Sequence, residues 1–158
     1  MPTNFLHTPG TNGFLVTPLA ATSGTDLSGI ANGSTATCTP VLNQTSLGSA
    51  QRGLIYFSVV TAGPTVTTAG ANLTGWYLHS PNAGTTYEGT QLNAALARPP
   101  DFIIPLPSAT LVTGVVYFAS GIPNLPYDTF KLYVQNNSGT ALTSNNHVIS
   151  IAPVADSY

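Results

Sequence analysis

Apolar residues in this chain come in short runs, each bounded by residues that turn the backbone, from one end to the other. The runs are GFLV (13–16), ATCTPVL (36–42), GLIYFSVV (53–60), LTGWYLHS (73–80), DFIIPL (101–106), TGVVYFA (113–119), TFKLYVQ (129–135) and HVISIAP (147–153). Val, Ile, Thr, Tyr and Phe dominate them, the side chains that suit a pleated, half-buried surface. In TFKLYVQ, Phe130, Leu132 and Val134 share one face, while Lys131, Tyr133 and Gln135 share the other. VISIAPV likewise sets Val148, Ser150 and Ala152 against Ile149, Ile151 and Pro153. Turn signals lie between the runs, in TAGPT, SPNAGTT, SGIPN and QNNSGT. Only QLNAALA (91–97) reads as a helix, and Pro99–Pro100 would end it after about two turns. Strands at this spacing predict an all-β protein, an antiparallel β-sandwich of jelly-roll type.

The chain has 158 residues, enough for one domain with a real core, and no repeat or linker divides it. Residues 13–158 read as the sandwich. Residues 1–12 read as an extended arm, because Pro2, Pro9 and the turn at Gly10 disfavour helix and central strand. That arm carries Phe5 and Leu6, an apolar pair with no use in a solvated tail, which marks both as candidate interface residues; the alternative is that they fold back onto their own sandwich.

The segment RPPDFIIPLPSA (98–109) sets four prolines into a strand-like run. Pro99, Pro105 and Pro107 share one parity, so their missing N–H groups fall on one edge of an uninterrupted strand. Phe102, Ile104 and Leu106 keep theirs for a partner on the other edge. This predicts an edge strand blunted on its open side. Arg98 and Asp101 flank the diproline, about 9 Å apart at Cα if the turn is polyproline II, within reach of a local ion pair. They are candidate interface residues too, as are Asp128 and Lys131, which the spacing in PYDTFKLYV allows to pair at the surface or between subunits.

Charged residues make up only 5% of the chain, with a net charge of −2, against roughly 25% charged in ordinary soluble domains. The polar surface must come from Thr, Ser, Asn and Gln, and little repulsion opposes association. Such a surface suits a protein packed against other proteins, copies of itself included. Three basic residues make no nucleic-acid patch. No apolar stretch reaches the ~20 residues of a membrane span. The N-terminus lacks a basic segment followed by an apolar one, so the expectation is a protein that is not exported through the Sec route.

Motifs for chemistry are missing. The carboxylates Asp26, Glu88, Asp101, Asp128 and Asp156 are scattered, without the pairing a glycosidase needs. His7, His79 and His147 fall on the arm, a strand end and a turn, where exposed or capped histidines are expected rather than a metal site. The single Cys38 has no basic neighbour in sequence to activate it and reads as a buried structural thiol. No nucleophile elbow, P-loop or dinucleotide glycine pattern occurs. The expectation is a non-enzymatic protein without cofactor or metal. Asn32, Asn43, Asn72 and Asn136 open N-x-S/T triplets, which chance supplies in a chain rich in Asn, Ser and Thr. Trp76 and Tyr77 are adjacent on a strand, so one enters the core and the other faces outward, where it would suit a glycan-stacking platform if it were not itself half-buried.

The blocks GWYLHSPNAGTTYEGT, RPPDFIIPL, LPYDTFKLYVQNNSGTAL and HVISIAPV, in that order, resemble small proteins encoded in the structural gene clusters of tailed bacteriophages and prophages, of the capsid decoration, cement or head-fibre type. The resemblance spans residues 13–158 and contains no mechanistic motif. It implies a virion component, assembled in the host cytoplasm, whose partners are the major capsid protein and further copies of itself. The alternative is a receptor- or glycan-binding module of a tail or head fibre.

Overall fold

A computed structural model describes residues 18–23, 25–61, 63–88, 96–142 and 147–154. It contains eight strands: β1 (Leu19–Ala20), β2 (Thr35–Thr37), β3 (Arg52–Ser58), β4 (Asn72–Ser80), β5 (Phe102–Pro105), β6 (Val116–Phe118), β7 (Thr129–Asn137) and β8 (Val148–Val154). Each of β2 to β8 falls in or within two residues of a run read from the sequence. The run at 13–16, the arm at 1–12 with Phe5 and Leu6, and residues 91–95 of the expected helix lie outside the described residues. Among the described residues there is no helix.

The strands form two four-stranded antiparallel sheets, in the orders β1-β8-β3-β6 and β2-β7-β4-β5. First pairs with last, second with seventh, third with sixth and fourth with fifth. This is a long antiparallel ribbon rolled into two facing sheets, the eight-stranded jelly roll. Its core is built by alternation: Ile55 and Phe57 of β3 and Ile149 and Ile151 of β8 on one side, and Leu73, Ile104, Phe130, Leu132 and Val134 on the other, all fully buried. Leu27, Leu42, Leu47, Leu111 and Leu142 close the core from the loops.

Proline positions follow the ladders. Leu106 donates to the carbonyl of Ala71, so from Phe102 to Leu106 the even-numbered residues face β4 and the missing donor of Pro105 points away from it; the parity breaks at Asp101, whose N–H also turns to β4 at Gly75. Among the described residues, β5 has β4 as its ladder partner, and its other edge accepts one backbone bond, from Ser120 to Ile103. In β8, Ala21 donates to Ile149, which places odd-numbered residues toward β1. Pro153 therefore lacks a donor only on the β1 side, past the last described pair, while its ladder with β3 continues at Gly53.

Turn chemistry ends β4 sharply. Ala83 and Gly84 adopt positive φ in succession, Gly84 donates to Ser80 Oγ at 2.7 Å, and Thr86 donates to Asn82 Oδ1 at 2.8 Å. The described residues on either side of 89–95 reach the outer face of the β2-β7-β4-β5 sheet. Tyr87 and Leu96 pack there on a second apolar cluster of Trp76, Leu78 and Tyr133. Tyr77 enters the main core as expected of one aromatic of the pair, but Trp76 is only 2% exposed beneath this cover and offers no stacking platform.

Two other side chains settle sequence questions. Asn136 is fully buried: its Nδ2 donates to the carbonyls of Ile30 and Thr140, and its Oδ1 accepts from Ser138 N. In the folded chain its amide is no glycosylation acceptor. His147 is not exposed; it is buried with its ring edge-on to Phe57, centroids 5.4 Å apart.

Candidate functional site

β4 runs on to Ser80, whereas its neighbour β5 begins only at Phe102, opposite Gly75. Past Gly75, the edge of β4 from Trp76 to His79 therefore has no strand beside it among the described residues, and exposed N–H and C=O groups there would invite pairing with another chain. Side chains and loop backbone complete the ladder instead. Asp101 N donates to Gly75 O at 2.9 Å, Asp101 Oδ2 accepts from Tyr77 N at 2.7 Å, Arg98 Nη2 donates to Tyr77 O at 2.6 Å, and Glu88 N donates to His79 O at 3.0 Å. Arg98 binds the assembly together. Its Nη1 donates to Asp101 Oδ2 at 2.8 Å, its Nη2 also reaches Glu88 Oε1 at 2.9 Å, and its carbonyl accepts from Trp76 Nε1 at 3.1 Å. Partial burial works against the guanidinium's charge, but the hydrogen bond and charge of Asp101, then those of Glu88, outweigh it and hold Arg98 above its ordinary pKa. The expected local pair of Arg98 and Asp101 is present, and it grips β4 as well as the entry to β5.

Asp128 and Lys131 do not pair with each other. The carboxylate oxygens of Asp128 lie instead 2.9 and 3.1 Å from His79 Nδ1. Lys131 lies on the outward face of β7, its ammonium 4.8 Å from the centroid of the Tyr87 ring, a cation–π contact. The register opposes Leu78 to Lys131 and His79 to Phe130, which turns the two charged side chains to opposite faces of the sheet. Glu88, Arg98, Asp101, Asp128 and Lys131, five of the chain's eight charged residues, thus gather around the last turn of β4. Glu88 and His79 are the members that sequence spacing missed: His79 meets Asp128 because β4 and β7 are paired, and Glu88 joins from the loop through His79 O and Arg98.

Beneath this corner, where the two sheets part, lies a cleft of about 440 Å³. Tyr77 and His79 line it from the inward face of β4, Pro100 and Asp101 from the diproline turn, and residues 123–126 from the opposite side. That last segment is fixed to the other sheet, since Leu125 N donates to Gln51 O and Gly53 N to Pro123 O. Burial, then the negative charge of Asp101, pushes the Tyr77 phenol far above its ordinary pKa. Cys38 is wholly buried, and burial, then Asp26, raises its thiol pKa so that it stays protonated and inert, as the sequence suggested. Among the described residues no group of His, Cys, Asp and Glu gathers to hold a metal, and no helix is long and apolar enough to cross a membrane.

The outer face of the β1-β8-β3-β6 sheet has the opposite character. Leu54 and Tyr56 of β3, Val116 and Phe118 of β6 and Val148 of β8 point outward, with small Ser150 and Ala152 between them. Phe118 is 51% exposed and tilts against Tyr56, ring centroids 5.8 Å apart. Its one described charged residue, Arg52, stands at the end of the face. Comparison with family models, with curated proteins and with solved structures finds no match for this chain.

Proposed function

We propose that the protein is a non-enzymatic virion structural protein, a decoration or cement protein that docks on a bacteriophage capsid shell through the outer face of the β1-β8-β3-β6 sheet. The observation that carries this reading is the segregation of charge. One outer face has Tyr87 and Leu96 packed over its apolar cluster and the ion pairs of Arg98 with Glu88 and Asp101 beside it, while the other presents Leu54, Tyr56, Val116, Phe118 and Val148 almost without charge. A contiguous apolar surface of that kind marks a protein contact. Low net charge removes the repulsion that would keep neighbouring copies apart on a lattice. The jelly roll is a frequent architecture of viral shell components, which agrees by analogy of fold, and the block resemblance to phage structural proteins agrees by sequence.

Locating the protein in purified particles by electron microscopy tests the reading. A shell-wide lattice is expected, and Phe118→Asp should empty it while leaving the melting temperature of the free protein within a few degrees. A handful of copies at the tail favours the fibre-adhesin alternative, and absence from the particle overturns both.

A further inference from the structure

We propose that the cleft between Tyr77, His79 and the 123–126 segment is a binding site for a neutral, hydroxyl-rich ligand, a carbohydrate unit. Its volume of about 440 Å³ falls in the small-molecule range of roughly 300–1,000 Å³. This site lies on a different part of the molecule from the proposed docking face, and the inference stands whether or not the protein decorates a shell.

The walls and polar atoms select the chemistry. Pro100, Pro123, Leu125 and Pro126 supply flat or rounded apolar surface, the kind against which the C–H face of a sugar packs. Three polar groups remain for a ligand. Both hydrogen bonds to the Asp101 carboxylate fall on Oδ2, from Arg98 and Tyr77 N, which leaves Oδ1 unengaged. His79 is oriented through Nδ1 by Asp128, which leaves Nε2 as its remaining polar atom. Asn124 is exposed at the rim and brings both amide donors and an acceptor. Tyr127, directly after Pro126, holds its ring 87% exposed, the position of a stacking residue.

An anionic ligand does not fit. Arg98 is committed to Asp101, Glu88 and the Tyr77 carbonyl, and Lys131 lies over Tyr87 on the outer face. The groups facing the cleft are rich in acceptors, which call for O–H or N–H donors. Apolar proline walls disfavour a strongly hydrated ammonium and favour alcohol groups.

Titration of the ¹⁵N-labelled full chain with N-acetylglucosamine, galactose and rhamnose in turn, followed by amide chemical shifts, tests the site. At least one sugar should move the amides of Tyr77, His79, Asp101, Asn124 and Leu125 with millimolar affinity. Asn124→Ala, on an exposed loop, and His79→Ala should each weaken binding about fivefold or more, with the rest of the spectrum unchanged. If His79→Ala perturbs the fold, Asn124→Ala alone decides. Three outcomes overturn the proposal: no shift with any of the three sugars, shifts centred away from the cleft, or binding undiminished in Asn124→Ala. Lysine amide, titrated in parallel, is expected to leave these amides unmoved; if it moves them and the sugars do not, the site takes a cation and the proposal fails.

Discussion

Asp26 collects three donors from two separate segments of loop: Ser23 N at 2.7 Å, Thr39 N at 2.8 Å and Thr39 Oγ1 at 2.5 Å. It thereby ties the turn that carries buried Leu27 to the stretch after β2. Partial burial raises its pKa, but the bonds from Thr39, side chain and backbone, and then from Ser23, outweigh that and hold it below the ordinary aspartate value. A carboxylate with a lowered folded pKa contributes stability that is complete above its unfolded value, about 3.9, and lost as pH falls through the lower folded value. Asp26→Ala should therefore destabilise the protein by about 1–2 kcal/mol near neutral pH. The gap between wild type and variant should narrow below the usual aspartate range, measured as urea midpoints at the two pH values. An equal gap at both would show that the bonds do not depend on ionisation. None of this was legible beforehand: Asp26 and Thr39 meet only because β2 and the loops on either side of it are placed by the fold.

Strands carried most of what the sequence could say, because a period of two and a turn residue are local features. Parity placed the missing donor of Pro105 on the side away from β4, since the direction of a missing N–H depends only on position along one strand; it did not carry back to Pro99, because Asp101 N, of the same parity, turns toward Gly75 of β4. β1 escaped because two residues are too few to show any period. The relation between elements was harder to read. Strand spacing alone implied a sandwich, but that β4 overruns β5, and that Arg98 and Asp101 finish its edge, follows from register between distant segments. This edge makes a distinct prediction. The guanidinium fork meets Asp101, Glu88 and the Tyr77 carbonyl together, and an ammonium, a point charge, cannot span three such acceptors with the same geometry. Arg98→Lys should cost about 1–2 kcal/mol and selectively speed amide exchange at Tyr77 and Glu88. Uniform acceleration across β4 and β7, or none at all, would show that the fork is not what holds this edge.

Across the whole molecule, scarce charge is placed rather than spread. The corner around the end of β4 holds Glu88, Arg98, Asp101, Asp128 and Lys131, each engaged within the chain, and the opposite outer face is left to Leu54, Tyr56, Val116, Phe118 and Val148. If the protein docks through that face, attachment rests on apolar burial and neutral hydrogen bonds, and salt acts on little that matters to it. Screening shortens the Debye length from about 30 Å at 0.01 M to about 3 Å at 1 M, but it weakens only interactions between charges. Hydrophobic association responds differently: excluded salts such as sulfate strengthen it and cooling weakens it. Occupancy on purified particles should therefore change little between low and molar sodium chloride, rise in ammonium sulfate, and fall on chilling. Each condition can be read by quantifying bound and free protein after sedimentation. Release by moderate sodium chloride would instead place the charged corner at the interface, and a loss of binding in Glu88→Gln but not in Phe118→Asp would identify that corner as the contact.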